Sequence, residues 1–311
     1  MGDGDSIGEG KTIAVLTNGF NVYTRYLGSG VRKGLEGTAY KFIGRQSNFD
    51  ADREVANFEE LISLGVAGIV VLPHTLESSA HGYLAAKKAS IPVVDLIGFE
   101  AAPADHGIIA RLRNINAESV HLLAKWITET IEPCEILIVS SVPGQGFSEI
   151  YTRWLTEGLE IHGSGKWKIV DNQPGYYNRF EAIKAVKKML AAHPKAKVIV
   201  DYATEMAIGI ASYLKEENRR DIITVTSDGV EEMLPWMKEG WLTATRYYSP
   251  AGHGLAGVQV LRNFIEKGEK PDDAIDIDLT AGIVTKENID EWVQRQPLCY
   301  DKYMVEIAKI P

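Results

Sequence analysis

Short apolar runs alternate with longer stretches of helical period along almost the whole chain, and this alternation limits the possible folds most strongly. The runs up to about residue 112 read TIAVLT, AYKFIG, AGIVVL, IPVVDLI and GIIARL, and a second series reads CEILIVSS, WKIVD, AKVIVDY, DIITVTS and LTATRYY. Buried strands joined by crossover helices are typical of parallel sheets. Each series is long enough for one doubly wound sheet, so the pattern predicts two similar α/β lobes in tandem.

The intervening stretches predict helices, and the end of the chain predicts crossings between the lobes. The helix candidates include Asp50 to Leu64, Ala117 to Thr130, Asn178 to Ala192, Thr204 to Lys215 and Pro250 to Lys267. A long helix, the alternation AIDIDL and a final AGIVTKENIDEW follow the second series. A helix and a strand left over in this way would return to the first lobe, which makes several crossings that would flex as a hinge. We therefore expect an N-terminal lobe of residues 11–114 plus 249–278 and a C-terminal lobe of residues 115–248 plus 279–311.

Length, charge and hydropathy exclude several classes of protein. A chain of 311 residues suits two domains of roughly 150 residues each. The net charge of −9 argues against a nucleic-acid partner, because phosphate binding needs a basic face. No window approaches the roughly 18 consecutive apolar residues of a membrane span.

The N-terminal segment and the cysteines leave the cellular compartment open. The segment MGDGDSIGEGK lacks a basic region and an apolar core, so no secretory signal is visible. Either the protein is cytoplasmic, or this segment replaces a signal that has already been removed. Cys134 and Cys299 lie far apart without a metal-type spacing, and we expect two separate thiols rather than a disulfide.

Motifs for catalysis and for cofactors are absent or incomplete. A dinucleotide site needs G-x-G-x-x-G after a strand, but GSGVRKG has its third glycine one position late and GQGFSE lacks it. The GSGK of Gly163 to Lys166 precedes Trp167 instead of the Ser or Thr of a phosphate loop. There is no G-x-S-x-G elbow and no H-E-x-x-H, and the seven histidines are scattered. We expect no cofactor, no metal and no catalytic residue.

Aromatic and hydrogen-bonding residues accumulate instead in the loops that follow strands, where open α/β sheets bind ligands. They are Asn21, Tyr23, Tyr26, His74, Asn114, Arg153, Asp228, Arg246, Tyr247 and Tyr248. Rings offer apolar faces to C–H surfaces, while Asp, Asn and Arg offer acceptors and donors to hydroxyl groups. The mixture predicts a sugar or polyol ligand, although part of the set would equally suit packing against the helix starts.

Six segments spread from Lys11 to about Trp292 carry a family resemblance. They read KTIAVLTNGFNVYTRYLGSGVRKGLE, NFDADREVANFEELISLGVAGIVVLP, KKASIPVVDL, AAHPKAKVIVDYATEMAIGIASYL, ITVTSDGVEEMLPWMKEGWLTATRYYSPAGHG and AGIVTKENIDEW. With them the chain resembles the type I periplasmic sugar-binding proteins of ABC transporters, the group of ribose-binding protein. The resemblance implies two α/β lobes joined by three crossings. It also implies a monomeric periplasmic receptor that clamps a sugar or polyol, delivers it to a membrane permease and does no chemistry.

The resemblance assigns several ligand contacts position by position. Asn21 and Tyr23 match contacts of the first loop, and Asn114 matches an Asn near the first crossing. Asp228 matches the acidic residue of the family's F-D-G turn, here TSDG, and Tyr248 follows the last strand of the second lobe. The full set expected to contact the ligand is Asn21, Tyr23, Tyr26, His74, Asp95, Asn114, Arg153, Thr204, Asp228 and Tyr248.

Three departures from the family pattern bear on the ligand. Many relatives carry Asp-Arg where this chain has Ile97-Gly98, and Asp95 is expected to substitute because strand alternation points it to the same side as Ile97. The usual Asn before EMA is replaced, which leaves Thr204 as the nearest polar residue. Where the family pattern has an Arg, this chain has Leu155, and Arg153 lies two positions earlier. The solute is therefore expected to be an unusual sugar or a polyol.

Several functions fit this fold. A solute receptor would close on a ligand that touches both lobes. A regulator of the lactose-repressor type shares the two-lobed effector domain but needs an N-terminal helix-turn-helix, and here the first strand begins at Thr12. A receptor for an autoinducer-type signal is a further alternative, because RWLTEGL is somewhat like the rhamnose and autoinducer-2 branch. An enzyme would need Asp228, Asp95 and His74 to share one site.

Overall fold

The structure is a computed structural model that describes residues 10–97, 107–113, 115–269 and 282–295. The strands are β1 Thr12–Thr17, β2 Lys41–Gln46, β3 Gly68–Leu72, β4 Val93–Asp95, β5 Ile108–Arg111, β6 Glu135–Ser140, β7 Lys168–Pro174, β8 Ala196–Asp201, β9 Ile223–Ser227, β10 Ala244–Arg246 and β11 Ile283–Thr285. The helices are α1 Val22–Leu35, α2 Ala51–Ser63, α3 Leu76–Lys88, α4 Ala117–Thr130, α5 Phe147–Gly163, α6 Arg179–Ala192, α7 Thr204–Glu216, α8 Leu234–Lys238, α9 Pro250–Lys267 and α10 Ile289–Arg295. The predictions for Asn114, Cys299 and the strand AIDIDL concern residues outside the described ranges.

The strands form two sheets. The first has the order β2-β1-β3-β4-β5 and is parallel throughout, and the second has the order β11-β10-β9-β8-β6-β7. In the second sheet β11 runs antiparallel to β10. The predicted fold class, an α/β protein with two doubly wound parallel sheets, is confirmed. We call the part built on the first sheet the N-terminal lobe and the part built on the second sheet the C-terminal lobe.

The chain passes between the lobes three times. It leaves the first sheet after β5, returns from β10 to α9, which packs on α1 and on β3 and β4, and reaches the second sheet again at β11. The side chains of Val258 and Leu261 on α9 join the core around Ile13 and Val15 of β1. The lobe boundaries given above stay a prediction, because the last of them, at residue 278, lies outside the described ranges.

Polar caps fix the starts of the helices that face the lobe interface. Asp50 and Asn178, expected as first helical residues, are N-caps whose side chains accept hydrogen bonds from backbone amides of the first turn. Helices α4 and α9 have the predicted bounds. Within the described ranges, we find no helix that combines the length and the apolar character needed to cross a bilayer.

Helices α1 and α9 approach each other closely at two glycines. A Cβ on Gly30 would lie 1.8 Å from the carbonyl oxygen of Ala251, and a Cβ on Gly254 would lie 2.0 Å from that of Leu27. Because the obstructing atoms belong to the backbone, a larger residue fits only if the helices move apart. This packing holds the middle of α1 against the start of α9.

We expect Gly30→Ala to lower the free energy of unfolding by about 2 to 3 kcal/mol, because two helices must separate to admit the methyl group. Gly34→Ala is the matched control, since its Cβ would meet the Val258 side chain at 2.3 Å, and a side chain can change rotamer. Its expected loss is about 1 kcal/mol. Urea denaturation of both variants measures the difference, and equal losses would contradict the backbone explanation.

Candidate functional site

A cavity of about 60 Å³ lies between the lobes, beyond the carboxyl ends of strands from both sheets. Open α/β sheets bind ligands at this edge, where loops are free to vary and helices begin. The N-terminal lobe contributes Asn18, Asn21, Tyr23, Thr24, Leu72 and Ile97, and the C-terminal lobe contributes Phe147, Tyr177, Tyr202, Ala203, Asp228 and Tyr248. Any small molecule held here would contact both lobes.

Asp228 is the carboxylate of the cavity wall. It follows β9 in a left-handed conformation with φ of 88°, and its side chain accepts hydrogen bonds from the Thr204 amide, at 3.1 Å, and from the Tyr248 hydroxyl. Its residue is only 1% exposed, and this burial raises the pKa of the carboxyl to about 7. The nearby guanidinium of Arg246, itself fully buried and 4.7 Å from the Tyr248 ring, opposes that rise.

Five aromatic residues line the cavity together with this carboxylate, namely Tyr23, Phe147, Tyr177, Tyr202 and Tyr248. The rings of Tyr23 and Tyr248, one from each lobe, meet edge to face with centroids 6.1 Å apart. Tyr202 stacks on Tyr151 behind it at 4.1 Å. The aromatic wall is therefore held in place by ring contacts as well as by the backbone.

The first loop places Asn21 and Tyr23 through the capping of α1. The Asn21 side chain accepts from the Thr24 amide at 3.0 Å, and the Thr24 hydroxyl donates back to the Asn21 carbonyl. The Tyr23 hydroxyl lies 3.0 Å from Nδ1 of His253. Burial lowers the pKa of His253 to about 4, so its ring is neutral at physiological pH. Since its Nε2 donates to the Leu112 carbonyl, its Nδ1 accepts a hydrogen bond from the Tyr23 hydroxyl.

Four of the predicted contacts lie in or at this cavity, namely Asn21, Tyr23, Asp228 and Tyr248. Asp95 lies behind the wall, where it accepts hydrogen bonds from the Tyr83 hydroxyl at 3.1 Å and the Ile97 amide at 2.8 Å. Because β4 ends at Asp95, strand alternation no longer applies beyond it, and the side chain that lines the cavity is Ile97. Asp95 therefore does not take the place of the lost Asp-Arg pair in the lining of the cavity, contrary to the prediction.

Thr204, His74 and Tyr26 also lie outside the cavity lining. The Thr204 amide donates a hydrogen bond to the Asp228 carboxylate, and the Thr204 hydroxyl donates one to the Ser227 carbonyl. His74 is buried against the edge of Phe49, and this burial lowers its pKa. Tyr26 is 1% exposed and hydrogen-bonded to Glu232 of the other lobe, so it joins the lobes instead of walling the ligand.

Arg153 lies on the surface of α5, away from the cavity. Its side chain is 56% exposed and lies 3.8 Å from Glu157, one turn further along. Tyr151 and Leu155 are the fully buried positions of this helix, and a residue midway between them points to the opposite face. Asn114 lies outside the described residues, so its predicted contact stays a prediction.

Sequence reasoning missed most of the aromatic wall. Tyr202 directly follows β8, and Phe147 begins α5 after the loop that follows β6, so their place in the chain was a usable signal. Tyr177 was hidden because the predicted strand WKIVD ends at Asp171, whereas β7 continues to Pro174 and moves the strand-end loop to Tyr177. The Tyr177 ring stacks on Phe49 of the other lobe, with centroids 5.4 Å apart.

Polar contacts join the lobes beside the cavity, and we call the two glutamates that make them the latch glutamates, Glu205 and Glu232. Glu205 accepts from the Val22 amide of α1 at 3.2 Å and from Arg179 at 2.6 Å. Glu232 lies 3.6 Å from Arg25 and hydrogen-bonds Tyr26. The lobes are therefore closed on each other in this structure.

The fold and its interlobe cavity define a two-lobed α/β binding protein. A family model described as a periplasmic binding protein domain matches residues 13–270, and the chain belongs to this family. It is 23% identical to the ribose import binding protein of Haemophilus influenzae over 268 residues, which cover 86% of this chain and 88% of the relative. It is 22% identical to the D-allose-binding periplasmic protein of Escherichia coli over 254 residues, 77% of this chain and 80% of the relative.

Solved structures agree on the fold. The chain is similar to an ABC transporter solute-binding protein from Bacillus halodurans with bound myo-inositol, with a TM-score of 0.81 and 22% identity. The match covers 94% of this chain and all of that one, at 100%. The resemblance drawn from the sequence segments is thus confirmed, and the family it indicates is one of binding proteins.

Proposed function

We propose that this protein is the solute receptor of an ABC transporter and that it binds a small sugar or polyol between its lobes. The observation that carries the proposal is the cavity itself, where the Asp228 carboxylate and five aromatic rings from both lobes converge. Rings suit the C–H faces of a sugar, and a carboxylate accepts hydrogen bonds from its hydroxyls. Relatives named for ribose and D-allose support this class of ligand.

Binding acts by closing the lobes. A solute that contacts Asn21 and Tyr23 on one lobe and Asp228 on the other stabilises the closed form more than the open form, and so shifts the population. Hydrogen bonds to a charged group contribute about 1.5 to 3 kcal/mol each. A few of them account for micromolar affinity, about −8 kcal/mol.

The site of action and the partner follow from the same proposal. The family is periplasmic, so the receptor would act as a monomer outside the cytoplasmic membrane and deliver its solute to a permease. Its role is transport and not catalysis. The family's character as binding proteins supports this assignment.

A thermal-shift screen tests the function. Pentoses, hexoses, deoxysugars and polyols are each added to the full chain, and at least one should raise the melting temperature. A ligand at 100 times its Kd stabilises the protein by about 2.7 kcal/mol, which corresponds to a shift of about 4 °C for a chain of this length. If no polyhydroxylated compound shifts the melting temperature, or if a bound sugar is converted to a product, the receptor proposal fails.

The affinity should depend on pH through Asp228. Solute hydroxyls donate to the ionised carboxylate, so binding favours the charged form and releases a proton where the pKa is raised to about 7. Kd should be constant above about pH 8 and rise by up to about tenfold for each pH unit below about 7. Calorimetric titrations between about pH 5 and pH 8 measure the effect, and a Kd that falls with acidification would contradict it.

A further inference from the structure

The tyrosine hydroxyls around the cavity are bonded to the protein. Tyr23 bonds His253 at 3.0 Å, Tyr177 donates to Gln145 at 3.2 Å, Tyr202 bonds Thr152 at 2.5 Å, and Tyr248 bonds Asp228. Burial raises the pKa of Tyr177, Tyr202 and Tyr248 above the usual range, so these hydroxyls stay protonated. What the tyrosines offer a ligand is chiefly their ring faces.

The side-chain amides of the N-terminal lobe that line the cavity are partly committed to bonds within the protein. The Asn18 amide group donates to the Pro73 carbonyl at 3.3 Å, and the Asn21 side-chain oxygen accepts from the Thr24 amide. The rest of this side of the wall includes Leu72 and Ile97, where a wall richer in charge was expected. The side of the ligand that faces this lobe therefore meets mainly apolar atoms and partly committed amides.

Asp228 is the one carboxylate among the described residues that line the cavity. An ionised carboxylate has about four acceptor sites, and the Thr204 amide, the Thr204 hydroxyl and the Tyr248 hydroxyl donate to it, which leaves about one site for a ligand. Among the described residues that line the cavity, none is Lys, Arg or His. The wall thus combines one charged acceptor with a mainly apolar surface, in which the polar groups are the partly committed side chains of Asn18, Asn21 and Thr24.

We infer that the solute has an apolar face, formed by methyl or deoxy carbons, and directs its hydroxyl donors towards Asp228. The inference rests on the proposed function and narrows it to deoxysugars and methyl-bearing polyols. A hydroxyl placed against Ile97, Leu72 or the rings would lose its water without gaining a partner. Such a loss raises Kd by about tenfold or more for each hydroxyl.

Matched sugar pairs test the inference by calorimetric titration of the full chain. L-fucose is compared with L-galactose and L-rhamnose with L-mannose, because each pair differs by one hydroxyl on C6. The deoxy member of a binding pair should bind with a Kd that is lower than that of its parent by about tenfold or more. If the parent binds as tightly or more tightly, the inference is overturned while the receptor function stands. If no sugar or polyol binds in any assay, the receptor function fails and takes the inference with it.

A substitution in the apolar wall provides a second readout. Ile97→Asn adds a donor and an acceptor to the wall and should narrow the ratio of the two Kd values within a pair, or invert it. Leu84→Asn is the control, since Leu84 is 39% exposed on α3 and does not line the cavity. An unchanged ratio in a folded Ile97→Asn protein would overturn the role given to the wall. The titrations of the unaltered protein decide the inference if that variant does not fold.

Discussion

Asp228→Asn is expected to raise the Kd of the solute by about 10- to 100-fold without unfolding the protein. The carboxylate is the strongest acceptor of the cavity wall, and hydrogen bonds to a charged group are worth about 1.5 to 3 kcal/mol. An asparagine oxygen can still accept from the Thr204 amide, which keeps the turn after β9 in place. The substitution also removes a buried charge, and burying a charge lowers the free energy of unfolding, so the variant is expected to fold.

The matched control is Asp221→Asn. Asp221 lies on the surface, paired with Arg219 and Lys197, and its substitution should leave Kd unchanged. The pH dependence gives an independent check, because Asp228→Asn should bind with a nearly constant Kd where the unaltered protein weakens below about pH 7. If the Kd of this variant still depended on pH, another group, such as the buried Asp201, would be the cause of the dependence.

The second large effect is expected from the latch glutamates. The double variant Glu205→Gln and Glu232→Gln should raise the Kd of every ligand by the same factor, about tenfold. Neither side chain lines the cavity, but both bond residues at the start of α1 across the lobe interface. Weakening these bonds lowers the closed population, and the apparent affinity falls in proportion to that population.

The prediction for the latch glutamates requires that the Kd of every ligand changes by the same factor. Glu239→Gln is the control, because Glu239 pairs with Lys215 within the C-terminal lobe and should not affect closure. Small-angle scattering of the ligand-free double variant should give a larger radius of gyration than that of the unaltered protein. A change in the order of ligand affinities would mean that the glutamates act on the ligand itself.

The fold was predictable because buried parallel strands appear in the sequence as continuous apolar runs. Runs such as AGIVVL are buried on both faces in β3, and the helix starts at Asp50 and Asn178 carry their caps in the sequence. Parallel sheets also place strand-end loops on one edge, which is why Asn21 and Asp228 could be expected to face a common cavity.

The rest of the site depended on details that periodicity does not carry. Asp95 ends β4 and Thr204 begins α7, yet backbone groups of the protein take up hydrogen bonds of both side chains. Arg153 was close in sequence to a family position but lies on the outer face of its helix. Tyr177 depends on where β7 ends, and strand boundaries are the least certain part of any pattern.

A crystal structure of the complex with the tightest binder from the thermal-shift screen tests the central claim most directly. The ligand is predicted to lie between the lobes, with a hydroxyl within hydrogen-bond distance of the Asp228 carboxylate and its apolar face on Tyr23 and Ile97. A ligand bound anywhere else, or one that contacts a single lobe, would contradict the account.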